Sequence, residues 1–141
     1  MSTVKARTQV QTYLQFNGRT EEALEFYKGA LGAEVLMLMR FSDSPEPCPG
    51  EAPPADKIMH ACFRIGETEM LATDGGCTAS SGFQGFSLTL NLPDLASAEK
   101  AYQALSVGGQ AEMPLSKTFF ATAFGTLADK FGVRWALIVP A

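Results

Sequence analysis

Residues 9 to 32 read QVQTYLQFNGRTEEALEFYKGALG, and the order of signals in this stretch decides the fold. From 9 to 16 the residues alternate, with Gln9, Gln11, Tyr13 and Gln15 on one side and Val10, Thr12, Leu14 and Phe16 on the other, the pattern of a strand with one buried face. Asn17-Gly18 reads as a turn. Thr20 then stands where a helix cap is expected, with Glu21 and Glu22 suited to the positive end of the helix dipole. Ala23, Leu24, Tyr27, Ala30 and Leu31 form an apolar stripe at helical spacing, and Gly32 is placed to stop the helix.

The same order returns downstream. Residues 85 to 92, GFSLTLNL, read as a strand; Asp94 caps a helix striped by Leu95, Ala98, Ala101, Tyr102 and Leu105; Gly108-Gly109 closes it. Each strand-and-helix pair is followed by three further strand-like runs. In the first copy these are 34 to 41 (EVLMLMRF), 57 to 65 (KIMHACFRI) and 68 to 73 (TEMLAT), the last two joined by a turn at Gly66-Glu67. In the second they are the segment 110 to 116, then FFATAFGTLAD and VRWALIVP. The stretch DSPEPCPGEAPPAD holds five of the chain's eight prolines, which cannot sit inside a ladder and predict an exposed loop. The expected fold class is therefore α+β: two βαβββ modules, about 8–75 and 84–141, forming curved mixed sheets with helices on the convex face. Together they make a single domain over 8–141, with residues 1–7 expected to be a flexible N-terminus.

The size permits nothing larger. At 141 residues, 46% hydrophobic and 18% charged, the chain fits one domain with a sizeable core. The aliphatic run from Val35 to Met39, closed by Arg40, is far short of the ~20 apolar residues that span a bilayer. The polar opening MSTVKARTQVQ lacks the apolar core of a secretory signal, so the expected location is the cytoplasm, with no membrane partner. A net charge of -4 without a Lys/Arg cluster argues against nucleic acid. Cys48, Cys62 and Cys77 form no C-x-x-C motif and read as reduced thiols.

Burial of each helix stripe on one sheet face leaves the other face to be accounted for. In 57 to 65, Met59, Ala61, Phe63 and Ile65 are the set expected under the helix; Ile58, His60, Cys62 and Arg64 are the mixed set expected to face a cavity. Gln11, Tyr13 and Gln15, and Ser87, Thr89 and Asn91 in the second copy, are expected on the same kind of face, and recurring polar side chains there suit a solvated pocket.

His60 is the sole histidine. In mid-strand it suits ligand hydrogen bonding or acid/base chemistry, against the plainer reading of a histidine merely satisfied in a wet pocket. Cys62, ~7 Å along the same face, is either a nucleophile activated by His60 or a small polarizable wall residue. Tyr13 and Gln11 suit a polar ligand group or plain solvent. Phe119, Phe120 and Phe124 read either as an apolar lid or as packing in the core or a dimer, and Trp135 as core. Asp74-Gly75-Gly76 and Asp129 through Gly132 read as turns rather than phosphate loops.

Residues 13 to 34, YLQFNGRTEEALEFYKGALGAE, together with the two-copy βαβββ plan, resemble the vicinal oxygen chelate superfamily, which includes glyoxalase I and bleomycin-resistance proteins. KIMHACFRI, SGFQGFSLTLNL and above all FGTLADKFGVRWAL, from Phe124 to Leu137, are similar to its PhnB-like branch over about Tyr13 to Val139. The resemblance implies the fold and a homodimer. Metal-binding members carry four His, Glu or Gln ligands, and the matching positions here are Gln11 or Thr12, His60, Ser87 and Ala136. Ser87 and Ala136 cannot complete such a set, so no cofactor is expected. Proteins of this branch have carried a 3-demethylubiquinone methyltransferase label. An S-adenosylmethionine site of the nucleotide type needs a glycine-rich loop between a parallel strand and a helix, and Gly75-Gly76 lacks that setting.

The functional expectation is a PhnB-like protein binding an unidentified small molecule in a concave pocket lined by Gln11, Tyr13, His60, Cys62, Ser87, Thr89, Phe120 and Phe124. The alternative is an enzyme of lyase, isomerase or dioxygenase type using His60 and a divalent metal.

Overall fold

A computed structural model describes residues 8–43, 55–75 and 82–141. The calls on residues 1–7, on Cys48 and most of the proline-rich loop, and on Cys77 lie outside the described residues. The elements run β1 (Tyr13–Gln15), α1 (Thr20–Leu31), β2 (Glu34–Arg40), a single 3-10 turn (Phe41–Asp43), β3 (Ile58–Ile65) and β4 (Thr68–Thr73). The second module follows with β5 (Leu88–Asn91), α2 (Leu95–Ser106), β6 (Gln110–Ser116), β7 (Ala121–Ala128) and β8 (Arg134–Pro140). One sheet has the order β1-β4-β3-β2 and the other β5-β8-β7-β6, so both modules share one plan. In each, the strand before the helix pairs in parallel with the last strand, and the remaining pairs are antiparallel. The α+β, two-module expectation holds.

Four local readings are corrected. Val10 is 95% exposed, because the strand pairing of β1 begins only at Tyr13. Thr20 is the first residue of α1 rather than its cap. Its main-chain N–H donates instead to Asp74 Oδ1 at 2.8 Å, whose other oxygen accepts from the Ile58 N–H at 2.6 Å. A carboxylate 54 residues away therefore satisfies an orphan donor of the helix start. Ile58 is buried at 1%, against its expected place beside His60. The β2–β3 register steps from Met39↔His60 to Arg40↔Ile58, so Met59 is an extra residue and the strand below it turns its side chains over. Met59 is accordingly half-buried rather than fully covered. By contrast, the Asp94 cap, accepting from Ser97 N at 2.8 Å, and the left-handed Gly32 stop, φ 69°, are as read from the sequence.

The modules share one core. Tyr27 of α1 lies flat on Phe63 of β3, ring centroids 6.2 Å apart, and meets Trp135 of β8 edge-on at 5.7 Å. Helix α1 touches β3 and α2, while α2 covers β6, β7 and β8. Among the described residues, each sheet thus has one face under helix and one uncovered. Buried among these rings is Asp129, at the end of β7. Its Oδ2 accepts from Tyr27 Oη at 2.5 Å and Trp135 Nε1 at 2.9 Å, and its Oδ1 from the main-chain N–H groups of Phe131 and Val133. The sequence marks Asp129 as a turn residue; it also ties α1 of one module to the β7–β8 turn of the other.

That arrangement sets an alkaline limit. Burial, and then the neighbouring Asp129 charge, push the Tyr27 hydroxyl well above its ordinary pKa. The unfolded chain releases this proton at about pH 10 while the folded chain retains it, so stability is intact below that pH and falls as pH rises beyond it. Tyr27→Phe is expected to be about 1–2 kcal/mol less stable at neutral pH. Between about pH 9 and 11 it should lose less stability than the unsubstituted chain, as read by urea unfolding; parallel losses would refute the role.

Candidate functional site

The uncovered face of the first sheet is built by register. Tyr13, Leu71, Cys62 and Met37 stand opposite one another across all four strands. His60, paired with Met39, occupies the next row. Tyr13 Oη lies 3.0 Å from His60 Nδ1, and the two rings meet edge-on at 5.5 Å. A neutral imidazole that accepts from the phenol at Nδ1 carries its own proton on Nε2. In that tautomer the pair presents one N–H donor beside thioether and aliphatic groups of the same face, Met37, Met39 and Leu71.

Among the described residues the side-chain contact of Cys62 is to Glu69 rather than to His60: its Sγ–H points to Glu69 Oε1 at 3.9 Å, and burial, followed by the Glu69 charge and hydrogen bond, pushes the thiol pKa up. Both features favour the wall reading over the nucleophile. Arg64, the remaining cation of the face, is paired with Glu34 at 2.9 Å. Gln11, half-buried, reaches the main-chain oxygen of Glu69 at 3.5 Å.

The second sheet presents a different uncovered face. Thr89, Ala136, Thr126 and Met113 align across it, as do Asn91, Ile138, Phe124 and Ser116. Phe124 packs edge-on against Phe120 at 5.3 Å, and Phe120 against Phe119 at 5.3 Å, the last 98% exposed. Ser87 and Thr89 line a 260 Å³ cavity beside Thr12, Met70 and Trp135, at the junction of the two modules.

The expected site residues thus fall into three places: Gln11, Tyr13, His60 and Cys62 on the first sheet, Phe120 and Phe124 on the second, and Ser87 and Thr89 between them. Among the described residues no hydrogen bond or ring contact joins the first group to the second. Of the positions that correspond to metal ligands, His60 is hydrogen-bonded to a phenol, Gln11 bonds to main chain, its alternative Thr12 lies with Ser87 along the cavity between the modules, and Ala136 offers a methyl group. These residues do not fit a four-donor centre. The sequence reading missed Met37, Met39 and Leu71, although the unbroken apolar run of β2 signalled them: Val35, Leu36, Met37 and Leu38 are 36% to 42% exposed on an edge strand. Among the described residues no helix is long and apolar enough to cross a membrane.

Comparison with known proteins places this arrangement. YjdN of Escherichia coli K12 is 33% identical over 135 residues, 90% of this chain and 92% of its own. The crystal structure of protein PA1353 from Pseudomonas aeruginosa is 38% identical, with a TM-score of 0.84 over 95% of this chain and 98% of that one. A structure from Bacillus cereus titled putative 3-demethylubiquinone-9 3-methyltransferase, PhnB protein, is 28% identical, with a TM-score of 0.77 over 94% and 99%. A glyoxalase-related enzyme from Fulvimarina pelagi, 16% identical with a TM-score of 0.63 over 94% and 88%, shares the fold alone. The model of the family described as 3-demethylubiquinone-9 3-methyltransferase matches residues 8–138, and the chain belongs to that family, the PhnB-like group of the glyoxalase fold.

Proposed function

We propose that the chain binds a small molecule, without a resident metal, on the uncovered face of the first sheet, and that it acts as a homodimer in the cytoplasm. The carrying observation is the Tyr13–His60 hydrogen bond; with the phenol as its donor, the Nε2 N–H of His60 remains for a ligand among apolar neighbours. The ligand class that answers it is a largely apolar molecule bearing one hydrogen-bond acceptor such as a carbonyl oxygen. The aliphatic side chains exposed on β2 support a second copy, since an edge strand of that composition left open is an aggregation hazard. Methyl transfer is not part of this reading. Strands β1 and β2, joined by α1, lie at opposite edges of their sheet, whereas a nucleotide-type crevice needs them parallel and adjacent.

The test exposes purified protein to a small-molecule extract, removes unbound material and identifies retained compounds by mass spectrometry. His60→Ala is expected to retain its compound about tenfold less, the effect of one oriented hydrogen bond, and Cys62→Ala to retain it unchanged. Equal retention by His60→Ala would refute the site. A stoichiometric transition metal in the unsubstituted protein, lost in His60→Ala, would replace this reading with a metal-dependent enzyme.

A further inference from the structure

A second concavity lies away from His60. It is a groove of 770 Å³ between the end of α1, the β3–β4 turn, β5 and the first half of α2, and it adjoins the cavity at Ser87 through shared walls. A volume of this size falls within the range of small-molecule sites. Its floor is apolar, formed by Leu31, Ile65, Leu90 and Leu92. Around that floor stand the side chains of Thr68, Thr89, Asn91, Ser97 and Lys100, drawn from β4, β5 and α2. Thr68, Thr89, Asn91 and Lys100 carry no side-chain hydrogen bond or ion pair among the described residues, while Ser97 is engaged with Asp94 at the start of α2. Lys28 is the second cation, held only by an exposed i,i+3 pair with Glu25 at 3.3 Å. The lining holds one carboxylate, Glu67, against the two lysines, and with Lys28 beside Glu25 it is Lys100 that stands outside any ion pair among the described residues.

Exposed donors with no protein partner among the described residues, set around an apolar floor with Lys100 outside any ion pair, select for one chemistry. The geometry points to a second binding site, independent of the His60 face, for an amphipathic organic anion. Its acidic head sits by Lys100, Lys28 and the hydroxyl and amide groups of the rim, and its apolar body lies along Leu31, Ile65 and Leu90. The positive rim sets the sign of the head group, and the floor sets the need for an apolar body; a bare anion lacks the second and a neutral alcohol the first.

Sodium decanoate titrated into the full chain, followed by backbone amide NMR, tests the site. Saturable shifts are expected at Leu31, Thr68, Thr89, Ser97 and Lys100, with decan-1-ol and decylammonium failing to reproduce them. The double variant Lys28→Gln/Lys100→Gln should bind decanoate about tenfold more weakly, and raised salt should weaken the unsubstituted chain in the same direction. His60→Ala should leave decanoate affinity unchanged, which separates this site from the one proposed above. Shifts centred on His60, equal affinity in the double variant, or equal binding of decan-1-ol would overturn the proposal.

Discussion

Asp129→Ala is expected to destabilise the chain by about 4 kcal/mol, the scale of removing one partner from a buried, charged hydrogen-bond cluster. The carboxylate is 3% exposed and accepts four bonds, two from side chains and two from main-chain N–H groups. Truncation leaves the Tyr27 hydroxyl, the Trp135 indole N–H and the Val133 N–H inside the core without acceptors, and each such orphan costs about 1–3 kcal/mol before relaxation. Asp129→Asn should cost less, about 2–3 kcal/mol, because one oxygen remains for the main-chain N–H groups and the NH2 can donate to the Tyr27 hydroxyl, while the Trp135 indole N–H loses its acceptor. Tyr27→Phe should cost least of the three, since the carboxylate then keeps three of its partners. Urea unfolding at neutral pH measures all three; an Asp129→Ala midpoint within about 1 kcal/mol of the unsubstituted chain would show that solvent replaces the lost acceptor.

This cluster marks the limit of what the chain discloses before its structure is known. The two-copy order was legible because it rests on local signals: alternation in 9 to 16, the stripe from Ala23 to Leu31, the Gly32 stop and the Asp94 cap. Trp135 was legible as core because its neighbours Val133, Leu137 and Val139 share its face. Asp74 and Asp129 were legible only as turn residues, because a carboxylate that caps a helix or bonds a tyrosine gains that role from partners 54 and 102 residues away. Ile58 was misplaced for a related reason. A bulge is a property of the pairing between β2 and β3, and nothing in KIMHACFRI alone says that Met59 is skipped.

The candidate site divides along the same line. His60 and Tyr13 were each placed on the right face by period-two reasoning, but their direct bond needs strands β1, β4 and β3 in a particular order. Cys62 illustrates the reverse case. The sequence left two readings open, and what favours the wall reading is burial of the thiol together with its contact to Glu69, a residue of the neighbouring strand β4. The groove at Lys28 and Lys100 was not legible at all, since it is formed by the packing of one module on the other.

Gly109→Ala is expected to cost about 3 kcal/mol, because the added methyl group meets main chain that cannot move independently. A Cβ at Gly109 would lie 2.2 Å from the carbonyl oxygen of Ala128 and 2.8 Å from the Cα of Asp129. The connection from α2 to β6 passes directly over the end of β7 there, just before Gln110 pairs with Ala128. Relief requires either lifting β6 from β7 or displacing Asp129, whose four bonds resist that shift. The substitution therefore acts on the same cluster as Asp129→Ala, but through packing rather than polarity. Gly29→Ala is the control: it lies within α1 with nothing within 4 Å of the added atom, and should raise stability by about 0.5–1 kcal/mol through helix propensity. Unfolding midpoints test the contrast, and the indole N–H resonance of Trp135 reports whether the Asp129 cluster has moved. An unshifted resonance with a full loss of stability would place the strain in β6 alone, and a Gly109→Ala chain as stable as Gly29→Ala would show that the close approach of main chain at this point is not required.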